Sequence, residues 1–336
     1  MDKIENSLQE NLNNKILKRY GKCIILWLIA GLFFYSGMKN YCNIEKNNTA
    51  VTCLYGNFPD QQKVKEVWES WQKRELITDI CFVSNQGMEE VEVSRYARQK
   101  TVQVIGLWGN TYLYDRQCAA LGEEDAKGCI IDGETAVALY GSEDCVGSQL
   151  TLLDRNYIVR GVASWKQHVI VIWPSEKKTV YTQVLIRPEE GQSTESAASS
   201  FLMSNGFSGT VTDDNWIDLL VPVFPAVFLL ISGVWLKKQL NGLKKRKIME
   251  ILIGGICLFF LWKLLYIPDG WIPDHWSDFS FWTDKIKKEK ELLGWYLMLP
   301  KTMTQAKRLL NAAECMIKCT AAIWLVGVIP GIVNTK

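Results

Sequence analysis

The chain has 336 residues, enough for one to three domains, and 48% of them are hydrophobic. Its net charge of only +2 excludes the strongly basic surface of a nucleic-acid-binding protein. Tryptophan is common, with 14 residues, and the apolar residues are concentrated in four blocks. Such a distribution indicates a protein that is embedded in the lipid bilayer.

The four apolar blocks have the composition of membrane-spanning helices. A helix needs about 20 residues to cross the hydrocarbon core, within a range of about 17 to 25. The second and fourth blocks reach this length, and the first and third reach it when flanking aromatic and basic residues are included. We therefore predict four transmembrane helices, at residues 23–38, 216–236, 251–267 and 312–333.

The first block could instead be a cleaved signal peptide. Its end, YSGMKNYCN, is a poor match to a small-residue cleavage site, and the 22 residues before it are long for a signal peptide. We interpret 23–38 as an uncleaved anchor.

Basic residues beside the blocks predict the orientation of the chain. Lysine and arginine are concentrated before the first block and between the second and third blocks. The positive-inside rule makes both places cytoplasmic. Segment 1–22, loop 237–250 and both termini then lie on the cytoplasmic side of the cell membrane. Segments 39–215 and 268–311 are extracytoplasmic. The lysines of 268–311 are tolerated because the rule is strongest for short loops.

The extracytoplasmic segment 39–215 has the size and pattern of one mixed α+β domain. Residues 59–75 predict a helix that Asp60 caps, with apolar residues on one face. Residues 193–206 predict a second helix, which ends at Gly206. Alternating and β-branched residues predict strands at 76–84, 89–93, 100–109, 168–173 and 179–188.

Six cysteines lie in this segment, at positions 42, 53, 81, 118, 129 and 145. An even number outside the membrane is compatible with disulfides, and six cysteines allow fifteen pairings. Cys118 and Cys129 bracket a turn-rich stretch and are the favoured pair, with buried free thiols as the alternative. The chain has no CxxC spacing and only two histidines, so we predict no structural zinc site.

No motif of the sequence predicts catalysis. The chain lacks GxxxxGK[ST], GxSxG and HExxH, so ATP-driven work would need a separate ATPase chain. Ser164 and His168 fall in or beside strands and make an improbable catalytic pair. We therefore predict that the protein is not an enzyme, and we assign no catalytic, cofactor-binding or metal residue. Glu314 and Lys318, spaced i,i+4 near the outer end of the fourth block, are functional candidates as charged residues at membrane depth, but snorkelling to the nearby interface is the simpler interpretation.

The outer loop 268–311 begins with an aromatic run that suits the headgroup level of a membrane. The basic stretch that follows, 284–300, can lie on the outer leaflet as an amphipathic segment. We interpret this loop as a membrane anchor rather than as a substrate groove.

Residues 130–162 carry a resemblance to a known family. They predict a short helix at 134–140, a left-handed glycine cap at Gly141, a turn at Gly147 and a strand pair. This pattern, placed between a first helix and three later ones, resembles the periplasmic core domain of MacB/FtsX-type ABC permeases over roughly residues 20–236. The matching positions are Ala136, Leu139, Tyr140, Gly141, Asp144, Gly147, Tyr157, Val159, Gly161 and Val162.

The resemblance implies a permease-like subunit of an ABC transporter that transmits ATPase-driven motion to its outer domain, for export or envelope-related work. It also implies a separate ATPase subunit and a homo- or heterodimer of permease chains. The chain departs from the family in its short loop 237–250 and its long link 268–311. The alternative is a membrane-anchored scaffold or sensor that does not transport and whose outer domain binds a partner.

Overall fold

A computed structural model of the protein describes residues 2–44, 49–71, 77–165, 167–174, 179–188, 193–212, 214–239, 254–255, 258 and 280–334. The chain divides into two units. The sheet domain comprises Asn47–Asp214 and Lys287–Ala306, and the span unit comprises Met1–Lys46, Asn215–Ile286 and Lys307–Lys336. The predicted helix at 251–267 and most of loop 237–250 lie outside the described residues.

The described residues form helices and strands in the following order. The helices are α1 (Asp2–Cys42), α2 (Gln61–Trp71), α3 (Gly133–Tyr140), α4 (Thr194–Asn205), α5 (Asn215–Leu220), α6 (Val223–Gln239), α7 (Ser280–Met298) and α8 (Met303–Asn334). The strands are β1 (Ala50–Leu54), β2 (Ile77–Val93), β3 (Arg98–Gly109), β4 (Gly128–Asp132), β5 (Gln149–Leu152), β6 (Arg155–Ala163), β7 (Val169–Ile172), β8 (Gln183–Pro188) and β9 (Gly209–Thr212).

The nine strands form one mixed sheet in the order β3-β7-β4-β6-β5-β2-β8-β1-β9. Because β3 also pairs with β2, the first six strands of this order close into a ring. Only β3–β7 and β4–β6 pair in parallel, and the other pairs are antiparallel. The remaining strands extend from β2 as an open arm that ends at β9.

β2 is a single 17-residue strand, where the sequence predicted two separate strands at 76–84 and 89–93. A bulge between Asn85 and Gly87 shifts its register against β3. Gly87 has a φ of +91°, which glycine adopts without the cost that a Cβ would add, and its N–H binds the Asn85 side chain at 3.1 Å. The bulge lets one strand pair with β8 at its start and with β5 at its end.

Two helices cover one face of the open arm. The predicted cap is confirmed, because Asp60 Oδ1 accepts the Lys63 N–H at 2.9 Å where α2 begins. Such a cap contributes about 1 kcal/mol. Val64, Val67 and Trp71 are buried on the face of α2 that packs with α4, and each contributes about 1.5–3 kcal/mol. The predicted end of α4 is also confirmed, since Gly206 has a φ of +67°.

The segment around α3 has the helix end and the turn that Gly141 and Gly147 predicted. The Asp132 carboxylate caps α3 by accepting the Thr135 N–H at 2.9 Å, and it also accepts the Val169 N–H at 3.0 Å. Gly141 ends the helix with a φ of +81°, and Gly147 turns the chain toward β5 with a φ of +86°. Asp132 is fully buried, so it fixes α3 and β7 to each other.

The predicted Cys118–Cys129 pair is wrong, because both cysteines are free thiols. Cys118 packs in the same apolar cluster as Ile130, whereas Cys129 packs with Ile131 in another cluster. Neighbouring residues of a strand point to opposite faces, so Cys129 points away from the face on which Cys118 lies. The alternative interpretation, buried free thiols, is the one that the structure shows.

Burial also lowers the reactivity of two thiols of the sheet domain, those of Cys81 and Cys129. It raises the pKa of the Cys81 and Cys129 thiols well above their usual range. The thiolate is the form that attacks a disulfide or binds a metal, so both reactions are disfavoured at neutral pH. Of the six cysteines, Cys42 is exposed and the other five are buried.

Three described helices are long and apolar enough to cross a membrane, at Cys23–Cys42, Trp216–Lys237 and Met303–Val328. The first two coincide closely with the predicted spans at 23–38 and 216–236. The third begins earlier than the predicted span at 312–333, because residues 303–311 are helical rather than part of a loop. The predicted loop also contains the 19-residue helix α7.

The free state of the thiols predicts a simple chemical result. Unreduced protein, denatured and treated with iodoacetamide, should give singly alkylated peptides for both Cys118 and Cys129. Prior reduction should leave their yields unchanged, because there is no bond to break. A linked Cys118–Cys129 peptide in the mass map of the unreduced sample contradicts the structure.

Candidate functional site

The chain enters and leaves the sheet domain on two hydrogen-bonded neighbours. β1 follows α1, the helix that contains the first candidate span, and β9 precedes α5 at the start of the second. β1 and β9 pair antiparallel, with Val51 opposite Thr212. The start of β1 and the end of β9 therefore lie side by side, and both connections leave the sheet domain at the same end of the strand pair.

β1 is held on both edges. It pairs with β8 on the side opposite β9, with Val51 opposite Leu185. The Thr212 hydroxyl adds a bond to the Val51 carbonyl at 3.0 Å. All five residues of β1 are buried. A displacement of β1 must therefore move both neighbouring strands or break their hydrogen bonds.

A third connection reaches the same part of the sheet domain through residues 300–306. The Gln183 side-chain amide, on β8, donates to the Pro300 carbonyl at 2.9 Å and to Cys53 Sγ of β1 at 3.6 Å. The Thr304 hydroxyl donates to the Tyr114 carbonyl at 2.8 Å. Met303 is buried in the cluster that also contains Val51. The start of α8 is thus bound to β1 and β8 by both polar and apolar contacts.

The sequence analysis missed this connection, although a local signal exists. Thr302 and Gln305 form a capping box at the start of α8. The Gln305 N–H binds the Thr302 hydroxyl at 3.2 Å, and the Thr302 N–H binds the Gln305 side chain at 3.3 Å. The pattern TMTQ, followed by apolar residues, indicates such a helix start.

Small residues allow close packing in the span unit. A Cβ on Gly37 of α1 would lie 2.9 Å from the Cys319 Sγ of α8. α8 turns small or compact buried residues toward its neighbours, a pattern that lets helix backbones approach one another in membranes. These residues are Ala312, Cys315, Cys319, Ala322 and Val326.

Two aromatic pairs join α1 to α6. The rings of Phe34 and Phe228 stack with centroids 4.3 Å apart, and those of Trp27 and Trp235 lie at 4.9 Å. Such pairs contribute about 0.5–1.5 kcal/mol each beyond the burial of their area. All three described spans are therefore packed together in this unit.

Charged and polar groups also join the spans. Arg308 Nη2 lies 3.2 Å from both carboxylate oxygens of Asp218, and the Arg308 side chain is only 2% exposed. The predicted Glu314–Lys318 pair is confirmed at 2.7 Å, and Asn40 of α1 also donates to Glu314 at 2.7 Å. Charged residues at membrane depth are functional candidates because burying them is costly.

Ser164 and His168, the improbable catalytic pair, each lie beside other polar groups. The Ser164 N–H binds the Gln117 side chain at 3.2 Å. His168 Nδ1 lies 4.0 Å from Asp132, and its Nε2 lies 3.8 Å from Glu134. Among the described residues, no group of three His, Cys, Asp or Glu side chains is arranged to hold a metal ion.

The chain is similar to several solved structures, among them two domains of transport proteins. The periplasmic region of MacB from Actinobacillus actinomycetemcomitans is 14% identical, over 51% of this chain and 90% of that chain, with a TM-score of 0.42. The extracellular domain of the noncanonic ABC-type transporter YknZ from Gram-positive bacteria is 12% identical, over 49% and 100%, with a TM-score of 0.38. No family model and no curated protein matches the sequence.

The close approach at Gly37 predicts a position-specific loss of stability. Gly37→Leu should destabilise the packing of α1 against α8 by about 1–3 kcal/mol, because the new side chain overlaps Cys319. Gly31→Leu is the matched control, since nothing lies within 4 Å of a Cβ there. Thermal unfolding of the detergent-solubilised protein measures the difference. Equal midpoints for the two variants would show that the helices do not meet at Gly37.

Proposed function

We propose that the chain is the permease-like subunit of an ABC transport system of the MacB/FtsX type. The observation that carries the proposal is the pairing of β1 with β9, which ties the connections to the first two candidate spans into one strand pair. A binding domain that is merely anchored needs only one such connection. A domain that is driven by its spans needs connections that move together, and the β1–β9 pairing would make these two connections do so.

In this proposal the chain converts movement of helices into movement of the sheet domain. An ATPase on the cytoplasmic side would close on ATP, and the spans would shift with it. Hydrogen bonds on both edges of β1 would carry the shift into β8 and from there into β2. The contacts of Gln183 and Thr304 would give α8 its own route into the same strands.

The proposal requires a separate ATPase chain, because the sequence contains no GxxxxGK[ST] loop to hold ATP phosphates. It places the sheet domain outside the cytoplasm and assigns the chain to a dimer of permease subunits in the cell membrane. The protein itself catalyses no reaction in this scheme. The basic loop 237–250 and segment 1–22 supply its cytoplasmic surface.

The contacts among the spans suit a device with two packing states. Asp218–Arg308 and Asn40–Glu314 join different helices through charged or polar groups. In a low-dielectric setting, separating such partners is costly unless they find new ones. A shift of the spans would therefore exchange partners in discrete steps rather than deform the contacts smoothly.

A second candidate is a membrane-anchored scaffold or sensor that does not transport. Two features of the sequence favour it. The loop 237–250 is short for a surface that must bind an ATPase, and the link 268–311 between the last two predicted spans is long. In this case the sheet domain binds a partner, and the helices hold it at the membrane.

The two candidates differ in whether an ATPase associates with the chain. Within segment 1–22, Ile4, Leu8, Leu12 and Ile16 recur close to a helical period, and α1 extends back to Asp2. A double variant, Leu8→Ser with Leu12→Ser, lies outside the candidate span and should insert normally. It should lose co-purification with the ATPase, because the apolar stripe that docks it is gone.

The control is a double variant on polar positions of the same segment, Asn11→Ser with Asn14→Ser, which should retain the ATPase. The measurements are co-purification from detergent extracts and the response of ATP turnover to the added permease. Full coupling in the Leu8/Leu12 variant shows that this segment is not the docking surface. If no ATPase associates with the unmodified protein, the scaffold function replaces the permease function.

A further inference from the structure

The open arm of the sheet ends in a strand that has one free edge. Six of its strands close into a ring, so β3 and β2 are paired on both sides. β8 and β1 also have two neighbours each, whereas β9 pairs only with β1. Open edges present unpaired N–H and C=O groups that can template another strand. Among the described strands, β9 therefore has an edge that is free along its whole length, where a further strand can be added.

The register shows which groups of β9 point outward. The Tyr55 N–H binds the Ser208 carbonyl at 2.9 Å, and Thr210 lies opposite Cys53. In an antiparallel pair, alternate residues direct both backbone groups toward the partner strand. Ser208 and Thr210 therefore face β1, and Gly209 and Val211 direct their N–H and C=O groups away from it. No backbone hydrogen bond to these outward groups occurs among the described residues.

A groove of about 580 Å³ runs along this edge. One wall is β9 itself, and another is the part of α7 that belongs to the sheet domain. The apolar side chains of the lining are Tyr55, Leu202, Met203, Phe207, Leu292 and Trp295. Several of them are far more exposed than apolar side chains of a packed core, with Met203 at 84%, Tyr55 at 56% and Trp295 at 52%.

Two of the three charged side chains that line the groove pair with each other, and the third does not. Lys288 Nζ binds both carboxylate oxygens of Glu195, at 2.8 and 3.1 Å, so these two charges satisfy each other. Glu291 also lines the groove and has no ion-pair partner among the described residues. The net charge available to an occupant is therefore negative, and a basic side chain complements it.

We propose that the groove binds an extended peptide, which adds to β9 as a further strand. Backbone hydrogen bonds to Gly209 and Val211 would hold the peptide, as in other cases of strand addition. Its apolar side chains would pack against Tyr55, Leu292 and Trp295, and a lysine or arginine would pair with Glu291. The ligand is thus a polypeptide segment that alternates apolar and basic residues.

The position of α7 favours a single strand over a second copy of the chain. The occupant must fit between β9 and the side chains of Leu292 and Trp295. A second copy would bring its own α7 to the same edge together with its β9. The inference does not depend on coupling to an ATPase, because binding is measured with the chain alone.

The test uses the full chain in detergent and a fluorescein-labelled peptide of alternating valine and lysine, about six residues long. We expect saturable binding by fluorescence anisotropy, with slowed amide exchange in the peptide fragment that contains β9. A valine–glutamate peptide should bind at least tenfold more weakly. So should a valine–lysine peptide with N-methyl groups on alternate amides, because it cannot pair along the edge.

Variants of the edge separate backbone pairing from side-chain contact. Val211→Pro removes an N–H that faces away from β1, so the β1–β9 pairing survives while peptide binding falls about tenfold. Val211→Ala keeps that N–H and should stay within about threefold of the unmodified chain. Glu291→Lys should reverse the preference toward the valine–glutamate peptide. Asp284→Lys makes the same charge change on α7 outside the groove and should not reverse it.

Three results overturn the proposal. The first is no saturable binding up to about 1 mM peptide. The second is equal binding of the N-methylated and unmodified peptides, which does not require the Val211 variant to fold. The third is a dimer of the unmodified chain that Val211→Pro dissociates in the absence of peptide, since the edge is then an interface between copies.

Discussion

The arrangement of the sheet domain depends on β1 being hydrogen-bonded along both edges. A strand that enters directly from a membrane span would ordinarily be an easy place for a domain to fray. Here β1 is fully buried between β8 and β9. β9 is the strand after which the chain leaves the sheet domain for the second span. The domain cannot shift one connection without the other, because both belong to the same antiparallel pair. Gln183 adds a side-chain bond from β8 to the segment before α8, so three connections share one group of strands.

The sheet combines a closed part with an open one, and the two parts suit different tasks. In the ring, every strand has two neighbours, and Asp132 fixes α3 to β7 from a fully buried position. The open arm ends at β9, whose first three residues are half-buried, beside a groove with exposed aromatic side chains. The same arm contains β1, which carries the connections. A ligand that paired with β9 would therefore sit one strand away from β1, where its binding and a movement of the spans would influence each other.

Local features of the sequence predicted local structure well, and pairing between distant residues had to come from the structure. Asp60, Gly141 and Gly206 indicate helix ends because capping depends on a few adjacent residues. The bulge at Gly87 and the ring closure depend on which strands meet, and alternation along one strand does not encode that. The Cys118–Cys129 prediction failed because spacing along the chain says nothing about the face on which each thiol lies. The capping box of Thr302 and Gln305 was also a local signal of a helix start. We nevertheless predicted a loop at these residues, because the aromatic run before them indicated a membrane anchor.

The central claim is that β1 and β9 form one strand pair in the membrane-embedded protein. Thr52 and Val211 lie opposite each other outside the hydrogen-bonded pairs, where Cβ atoms are close enough for a disulfide. In a Cys53→Ser background, Thr52→Cys with Val211→Cys should oxidise readily in native membranes, and the locked chain should keep the coupling to an ATPase that the proposed function requires. A displaced pair, Thr52→Cys with Thr210→Cys, should not cross-link, because neighbouring residues of β9 point to opposite faces of the sheet. Cross-linking of the displaced pair in place of the Thr52–Val211 pair would contradict the account, as would loss of coupling when the strands are locked.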